Sequence, residues 1–151
     1  PDFVVIVRSD TCRFEGFGEA VKRVNMGAEE GADMGLIFPT NHEEAVQAPK
    51  ECTIPMVYVQ SRGNRDGRPL YGNNELRDMG YKACIDAQLW LTVSFHHAKK
   101  ALEEIHATGS YTGMTDAENI SARQGIEDAI GLEDYYLIEE ETVEEKKWGK
   151  R

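Results

Sequence analysis

Arginines, amides and short hydroxyls cluster where this chain changes from apolar to polar, and those are the residues that could do chemistry. Arg8, Ser9 and Asp10 follow an apolar run at 3–7, and Thr40 follows one at 34–38. Gln60 and Ser61 follow a third run at 54–59, together with a polar, glycine-rich stretch (SRGNRDGRP) that carries Arg62, Asn64, Arg65 and Arg68. Asp86 and Gln88 follow a fourth run at 81–85. Guanidinium groups bind carboxylate or phosphate with paired hydrogen bonds, so the set reads as a receptor for a small anionic substrate. Asp10 and Asp86 are the only candidates in it for a general base. The bland alternative for Arg8 and Asp10 is a structural ion pair at a strand end.

Other chemistries find less support. His42, His96, His97 and His106 all fall on predicted helices, away from the strand ends. His96 and His97 are adjacent, so they point to different helix faces and do not easily share a metal. Cys12, Cys52 and Cys84 are odd in number and lack a C-x-x-C pair, which speaks against a zinc site or a disulfide framework and for a reducing cytoplasm. Cys84 lies in an apolar run and reads as a small core residue. Cys12 lies just past a strand end, but no histidine is near it in sequence, which weighs against a nucleophile. There is no P-loop, and no G-x-G-x-x-G follows a strand.

The elements that would position these residues alternate regularly. The run at 3–7 (FVVIV) is rich in β-branched residues, as strands buried on both faces are. Residues 17–30 carry Phe17, Ala20, Val21, Val24 and Ala28 at helical spacing, and Gly31 closes that helix. Asn41 caps a short helix over 42–48, and Asn73 or Asn74 begins one that ends near Gly80. The longest helix runs over 89–106, with Trp90, Val93, Ala98, Ala101, Leu102 and Ile105 towards the core and Gly109 and Gly113 breaking it. Thr115-Asp116-Ala117-Glu118 forms a capping box for a further helix to about 130. Tyr135, Tyr136 and Leu137 precede an acidic run (EEETVEE, 139–145) that reads as a solvated helix face.

Strand and helix repeat four times, then helices alone. Such alternation means a parallel sheet with right-handed crossovers, either a small open sheet or half of an eight-stranded barrel. In both, the strands' carboxyl ends carry the site. With 151 residues, 40% hydrophobic and 29% charged, the chain has the size and make-up of one globular domain. A net charge of -10 argues against sequence-independent nucleic-acid binding. No apolar run approaches bilayer-spanning length. The abrupt start, Pro1 leading straight into a strand, suggests a chain taken from something longer.

Several strings in order resemble one family. DFVVIVRSD at 2–10 resembles the strand ending in Arg-(Thr/Ser)-Asp of the isocitrate lyase/phosphoenolpyruvate mutase superfamily. The helix ending in GAD at 31–33, the IPMV at 54–57, the ELRDMGY at 75–81 and the long helix with its Tyr-containing tail follow in the same order. The resemblance covers nearly the whole chain. It implies a (β/α)8 TIM-type barrel of which residues 1–109 supply strands five to eight, with 110–151 a helical extension packed on a neighbouring subunit. It implies a Mg2+-dependent lyase, which breaks a C–C bond of a 2-oxo or 2-hydroxy di- or tricarboxylate through an enolate, as in 2-methylisocitrate lyase. The metal's acids would lie in the first half of the barrel, on the same or a separate chain, so none is expected here. Arg8 would clamp a substrate carboxylate, Ser61 would hydrogen-bond it, and Asn64 and Arg68 would close over it from their loop. Asp10, Thr40 and Gln88 complete the expected substrate-binding set. The chain departs from family lyases at Thr40, where they often carry Glu, and at Val59, where they often carry Asn. Two further readings stay open: an oxaloacetate decarboxylase or a phosphonopyruvate or carboxyphosphonoenolpyruvate mutase with the same enolate chemistry, and a non-catalytic half-barrel subunit. A cytoplasmic homo-oligomer is expected in either case.

Overall fold

A computed structural model describes residues 3–142. Four strands are each followed by helix: β1 (Ile6–Ser9), α1 (Cys12–Glu15), α2 (Phe17–Glu29), β2 (Met34–Ile37), α3 (His42–Glu51), β3 (Met56–Gln60), α4 (Asn73–Met79), β4 (Ala83–Asp86) and α5 (Leu89–Thr108). Then come α6 (Asp116–Ala129) and α7 (Leu132–Thr142). The strands form one parallel sheet in the order β1-β2-β3-β4. That order matters, because a doubly wound open sheet reverses its strand order at a switch point whereas a barrel adds strands in sequence.

The register sorts side chains onto two faces, since neighbours along a strand alternate. Arg8 pairs with Leu36, Leu36 with Val57, and Val57 with Ala83. Those residues share one face with Ile6, Val59 and Ile85. The other face holds Val7, Gly35, Ile37, Met56 and Tyr58, and the helices lie against it. A Cβ at Gly35 would meet Val24 of α2 at 2.5 Å, and one at Gly27 of α2 would meet Val7 at 2.6 Å. Helix and sheet therefore touch backbone to side chain, and only glycine fits at both places. Val24, Ile37, Ala45, Ala48, Met56, Tyr58, Leu76 and Tyr81 form the core between the sheet and α2, α3 and α4. With helices on one face and consecutive strand order, the sheet has the form of a barrel segment.

Local sequence explains the element ends. Asn41 accepts from Glu44 N at 2.9 Å and caps α3. Gly80 takes φ 108 and closes α4, donating to the carbonyls of Leu76 and Arg77. Thr115 and Glu118 form the reciprocal box at the start of α6. Gly31 takes φ 99 past the end of α2.

Three expectations need correction. The run at 3–7 is not buried on both faces: Phe3 is 80% exposed and Ile6 43%. β1 is an edge strand, and among the described residues nothing covers its second face. Its early part is nevertheless tied down, because Val5 O accepts from the amides of Asp33 and Met34 while Asp33 Oδ2 accepts from Val5 N. Cys84, read as core, is exposed because β4 is the other edge. No residue of α5 is buried: Trp90, Val93, Leu102 and Ile105 are all exposed. The apolar spacing predicts the helix, and among the described residues these four side chains stay exposed.

The chain divides into two compact units, Pro1–Phe95 and His96–Arg151. Within the second, Thr112 donates to Glu104 through its amide and its hydroxyl, at 2.8 and 2.7 Å, which folds the segment after α5 back onto that helix. The acidic run at 139–145 enters α7 and continues beyond the described residues. No helix of the described residues is long and apolar enough to cross a membrane.

Candidate functional site

The face of the sheet opposite the helices carries the cluster of interest at its carboxyl end. Arg8, the third residue of β1, points to that face. Asp10 follows two residues later, so the chain brings it back to the same side. Arg8 Nε and Nη2 donate to the two carboxylate oxygens of Asp10 at 2.7 and 2.8 Å. The hydrogen bond to Arg8 holds the Asp10 carboxyl below its usual range, against partial desolvation, with the charges of Arg8 and Arg68 adding to it. The same bond raises the Arg8 guanidinium. The pair is more than half exposed, so its worth to stability is small. Its importance is geometric. Asp10 uses one edge of the fork, and guanidinium has five N–H groups, so the outer edge keeps donors for a second carboxylate.

Phe38, just past β2, lies on the same face. The guanidinium carbon of Arg8 sits 4.6 Å from its ring centroid and that of Arg68 sits 4.4 Å from it. Two cations thus share one ring. Arg68 arrives from the loop after β3, and that loop is fixed from within and from below. Asn64 Nδ2 donates to the carbonyls of Ser61 and Arg68, at 2.9 and 3.2 Å, and Asn64 Oδ1 accepts from Arg68 N at 2.9 Å. Tyr58 Oη donates to Pro69 O at 2.6 Å. Gln60 Nε2 donates to Tyr71 O, and Gln60 Oε1 accepts from Tyr71 N at 3.3 Å. Burial pushes the Tyr58 and Tyr71 hydroxyls up, so both stay protonated.

The sequence-derived residues divide into groups. Arg8, Asp10 and Arg68 come together around Phe38. Ser61 is buried at the end of β3, and its carbonyl accepts from Asn64 N at 3.0 Å. Asn64 has its amide committed to the loop. Thr40 stands at the end of β2 and donates through its amide and its hydroxyl to Glu44 Oε2, at 2.6 and 2.9 Å. Gln88 is exposed at the start of α5, where its carbonyl accepts from Thr92, and it makes no contact with the Arg8 cluster. Asp86 pairs with Arg62 at 3.3 Å on the other face, with one oxygen buried and unpartnered among the described residues. It borders a concavity of about 690 Å³ with Gln60, Arg62, Tyr71, Arg77 and Cys84.

Sequence reasoning missed Phe38 and Glu44. Phe38 reads as the last apolar residue of a strand, and nothing local signals that two arginines stack on it. Glu44 was detectable, being the residue three after the Asn41 cap, where a carboxylate often reaches back to a free amide. His42 Nδ1 lies 3.0 Å from Tyr71 Oη, a helix-packing role. The rings of His96 and His97 meet edge-on at 5.3 Å. The Cys12 thiol is pushed up to about 11 by burial and by the nearby charge of Glu44, which disfavours a nucleophile at neutral pH. Among the described residues no group of three or more His, Cys, Asp or Glu gathers as a metal site.

A sequential parallel sheet, helices on one face and a cationic cluster at the strands' carboxyl edge define an α/β protein of the barrel kind. Comparison with known proteins bears this out. No family model matches the chain. It is 31% identical over 105 residues to the 2,3-dimethylmalate lyase of Eubacterium barkeri, covering 70% of this chain and 35% of that protein. It is 28% identical over 137 residues to the 2-methylisocitrate lyase of Aeropyrum pernix, covering 89% of this chain and 42% of that one. The crystal structure of a 2,3-dimethylmalate lyase, a PEP mutase/isocitrate lyase superfamily member, superposes with a TM-score of 0.76 at 22% identity, over 94% of this chain and 49% of that one. The relatives matched are thus 2-methylisocitrate and 2,3-dimethylmalate lyases, and the fold is that of a PEP mutase/isocitrate lyase superfamily structure over about half of its length. The chain spans less than half the length of these curated relatives.

Proposed function

We propose that the protein containing this chain is a carbon–carbon lyase acting on a 2-oxo or 2-hydroxy di- or tricarboxylate through an enolate. In this reading the chain supplies strands five to eight of a (β/α)8 barrel. The outer edge of Arg8 clamps a substrate carboxylate, Asp10 holds the guanidinium in place, and the Ser61 hydroxyl donates to the substrate from the end of β3. Asn64 acts indirectly, by shaping the loop that presents Arg68. The observation that carries the proposal is the Arg8–Asp10 pair: a fork anchored along one edge, with its other edge unpaired among the described residues at the carboxyl end of a parallel sheet. The named activities of the relatives, a 2-methylisocitrate lyase and a 2,3-dimethylmalate lyase, support it.

The residues described do not fit a metal site by themselves. The Mg2+ of this proposal is assigned to the first half of the barrel, on the same or a separate chain, and no step above runs through it. The unburied apolar residues of α5 support a homo-oligomer in which a second copy covers that helix. Three free thiols support a cytoplasmic location.

The test is turnover. The full-length protein, supplied with 2-methylisocitrate, 2,3-dimethylmalate or oxaloacetate in turn, with and without Mg2+, is expected to cleave at least one of them. Failure on every 2-oxo or 2-hydroxy acid tried with Mg2+ present would sink the proposal and favour a non-catalytic subunit.

A further inference from the structure

We propose that Phe38 is a positioning residue that holds Arg68 beside Arg8, and that this arginine pair makes the site select ligands by how many carboxylates they carry. The inference rests on the reading of the strand-end cluster as a carboxylate site, and it adds the residues that set selectivity.

Two guanidinium groups repel each other unless something offsets their charge. Here the ring of Phe38 presents its electron-rich face to each, within 4.6 Å. Asp10, itself held low by both arginines, supplies a nearby negative charge. Asp66 Oδ2 lies 2.9 Å from Arg68 Nε, yet without a directed hydrogen bond, and Arg68 Nη1 is buried with no partner among the described residues. The Arg68 side chain is only 15% exposed. A buried charged donor left unpaired is costly, and in native structures it calls for a reason. The local packing does not supply one, because the backbone on both sides of Arg68 is fastened by Asn64, Tyr58 and Gln60 rather than left to wander. A fixed backbone, an underused guanidinium and a shared ring together describe a second anion seat held at a set place from the first. One carboxylate satisfies the free edge of Arg8. A ligand with a further carboxylate reaches Arg68 as well.

The experiment is calorimetric titration of the full-length protein with propionate, succinate and citrate. Arg68→Gln and Phe38→Leu are each expected to weaken succinate and citrate by about tenfold while leaving propionate nearly unchanged, the size of one lost charge-assisted contact. Arg68→Lys keeps a charge, and Phe38→Tyr and Phe38→Trp keep a ring. All three should retain most of the preference, a rescue that a space-filling role for Phe38 would not require to be aromatic. Equal losses for all three ligands, no loss at all, a Phe38→Tyr variant as poor as Phe38→Leu, or a wild-type protein that binds none of them would overturn the inference. The outcome is separable from the lyase proposal. Turnover without charge selectivity leaves the lyase and removes this inference. Charge selectivity without turnover does the reverse.

Discussion

Glu44 reaches back over the first turn of α3 and takes both the amide and the hydroxyl of Thr40 on a single carboxylate oxygen. The resemblance marked Thr40 as the place where family lyases often carry a carboxylate. In this chain a carboxylate from four residues later is fastened to Thr40. The bond also extends the Asn41 cap, because Glu44 N donates to Asn41 Oδ1 while its side chain turns the preceding amide inward. Glu44→Ala is expected to lower stability by about 1 kcal/mol, the usual cost of a lost helix cap, read as a shift of the urea midpoint at unchanged slope. A midpoint that does not move would mean that water replaces the carboxylate without cost.

Asp10→Asn removes the charge but not the shape beside Arg8. Carboxylate binding by the full-length protein should weaken by about tenfold, because the fork loses the partner that fixes its orientation. The pH dependence has a definite sign. The Asp10 carboxyl is held below its ordinary range in the fold, so the contribution of the pair is complete above that range and disappears as pH falls through the depressed value. The difference between wild type and Asp10→Asn should be constant through neutral pH and close in acid. A difference that grows on acidification contradicts the assignment.

Much of the fold could be read from local pattern. Strand–helix alternation, the caps at Asn41 and Thr115 and the stop at Gly80 depend on near neighbours, and the structure has them all. Arg8 and Asp10, both read at a strand end, likewise form the ion pair weighed for them. What could not be read depends on distant residues or on what surrounds the chain. Phe38 meets Arg68 across thirty positions. Cys84 and the stripe on α5 have core-like composition, but composition says only that a surface wants covering, not that this chain covers it.

The thiols offer a check on that distinction. Cys84 is exposed, whereas Cys12 and Cys52 are buried and both pushed up to about 11 by that burial. Brief iodoacetamide treatment of the native chain near pH 8, followed by mass spectrometry, should label Cys84 first and the other two only after unfolding. Because both buried thiols have raised values, the stability they give is present below the unfolded value near 9 and declines as pH rises towards 11. Rapid labelling of Cys12 in the native state would contradict the core packing described.

Asn64 holds its loop with three hydrogen bonds. Asn64→Ala should free the loop while sparing the core, costing about 1–3 kcal/mol at most, since each net bond is worth about 1. Trypsin should then cut at Arg62 or Arg65 roughly tenfold faster, as local opening becomes easier. Unchanged cleavage would show that Tyr58 and Gln60 suffice to hold the segment.

The strand order carries one more consequence. Among the described residues, strands pair only with their neighbours in sequence. Every sheet contact therefore closes a short loop, with little entropy to overcome. Such a sheet can grow in the direction of synthesis, each new strand docking on the last as it leaves the ribosome, with no need to wait for the far end of the chain.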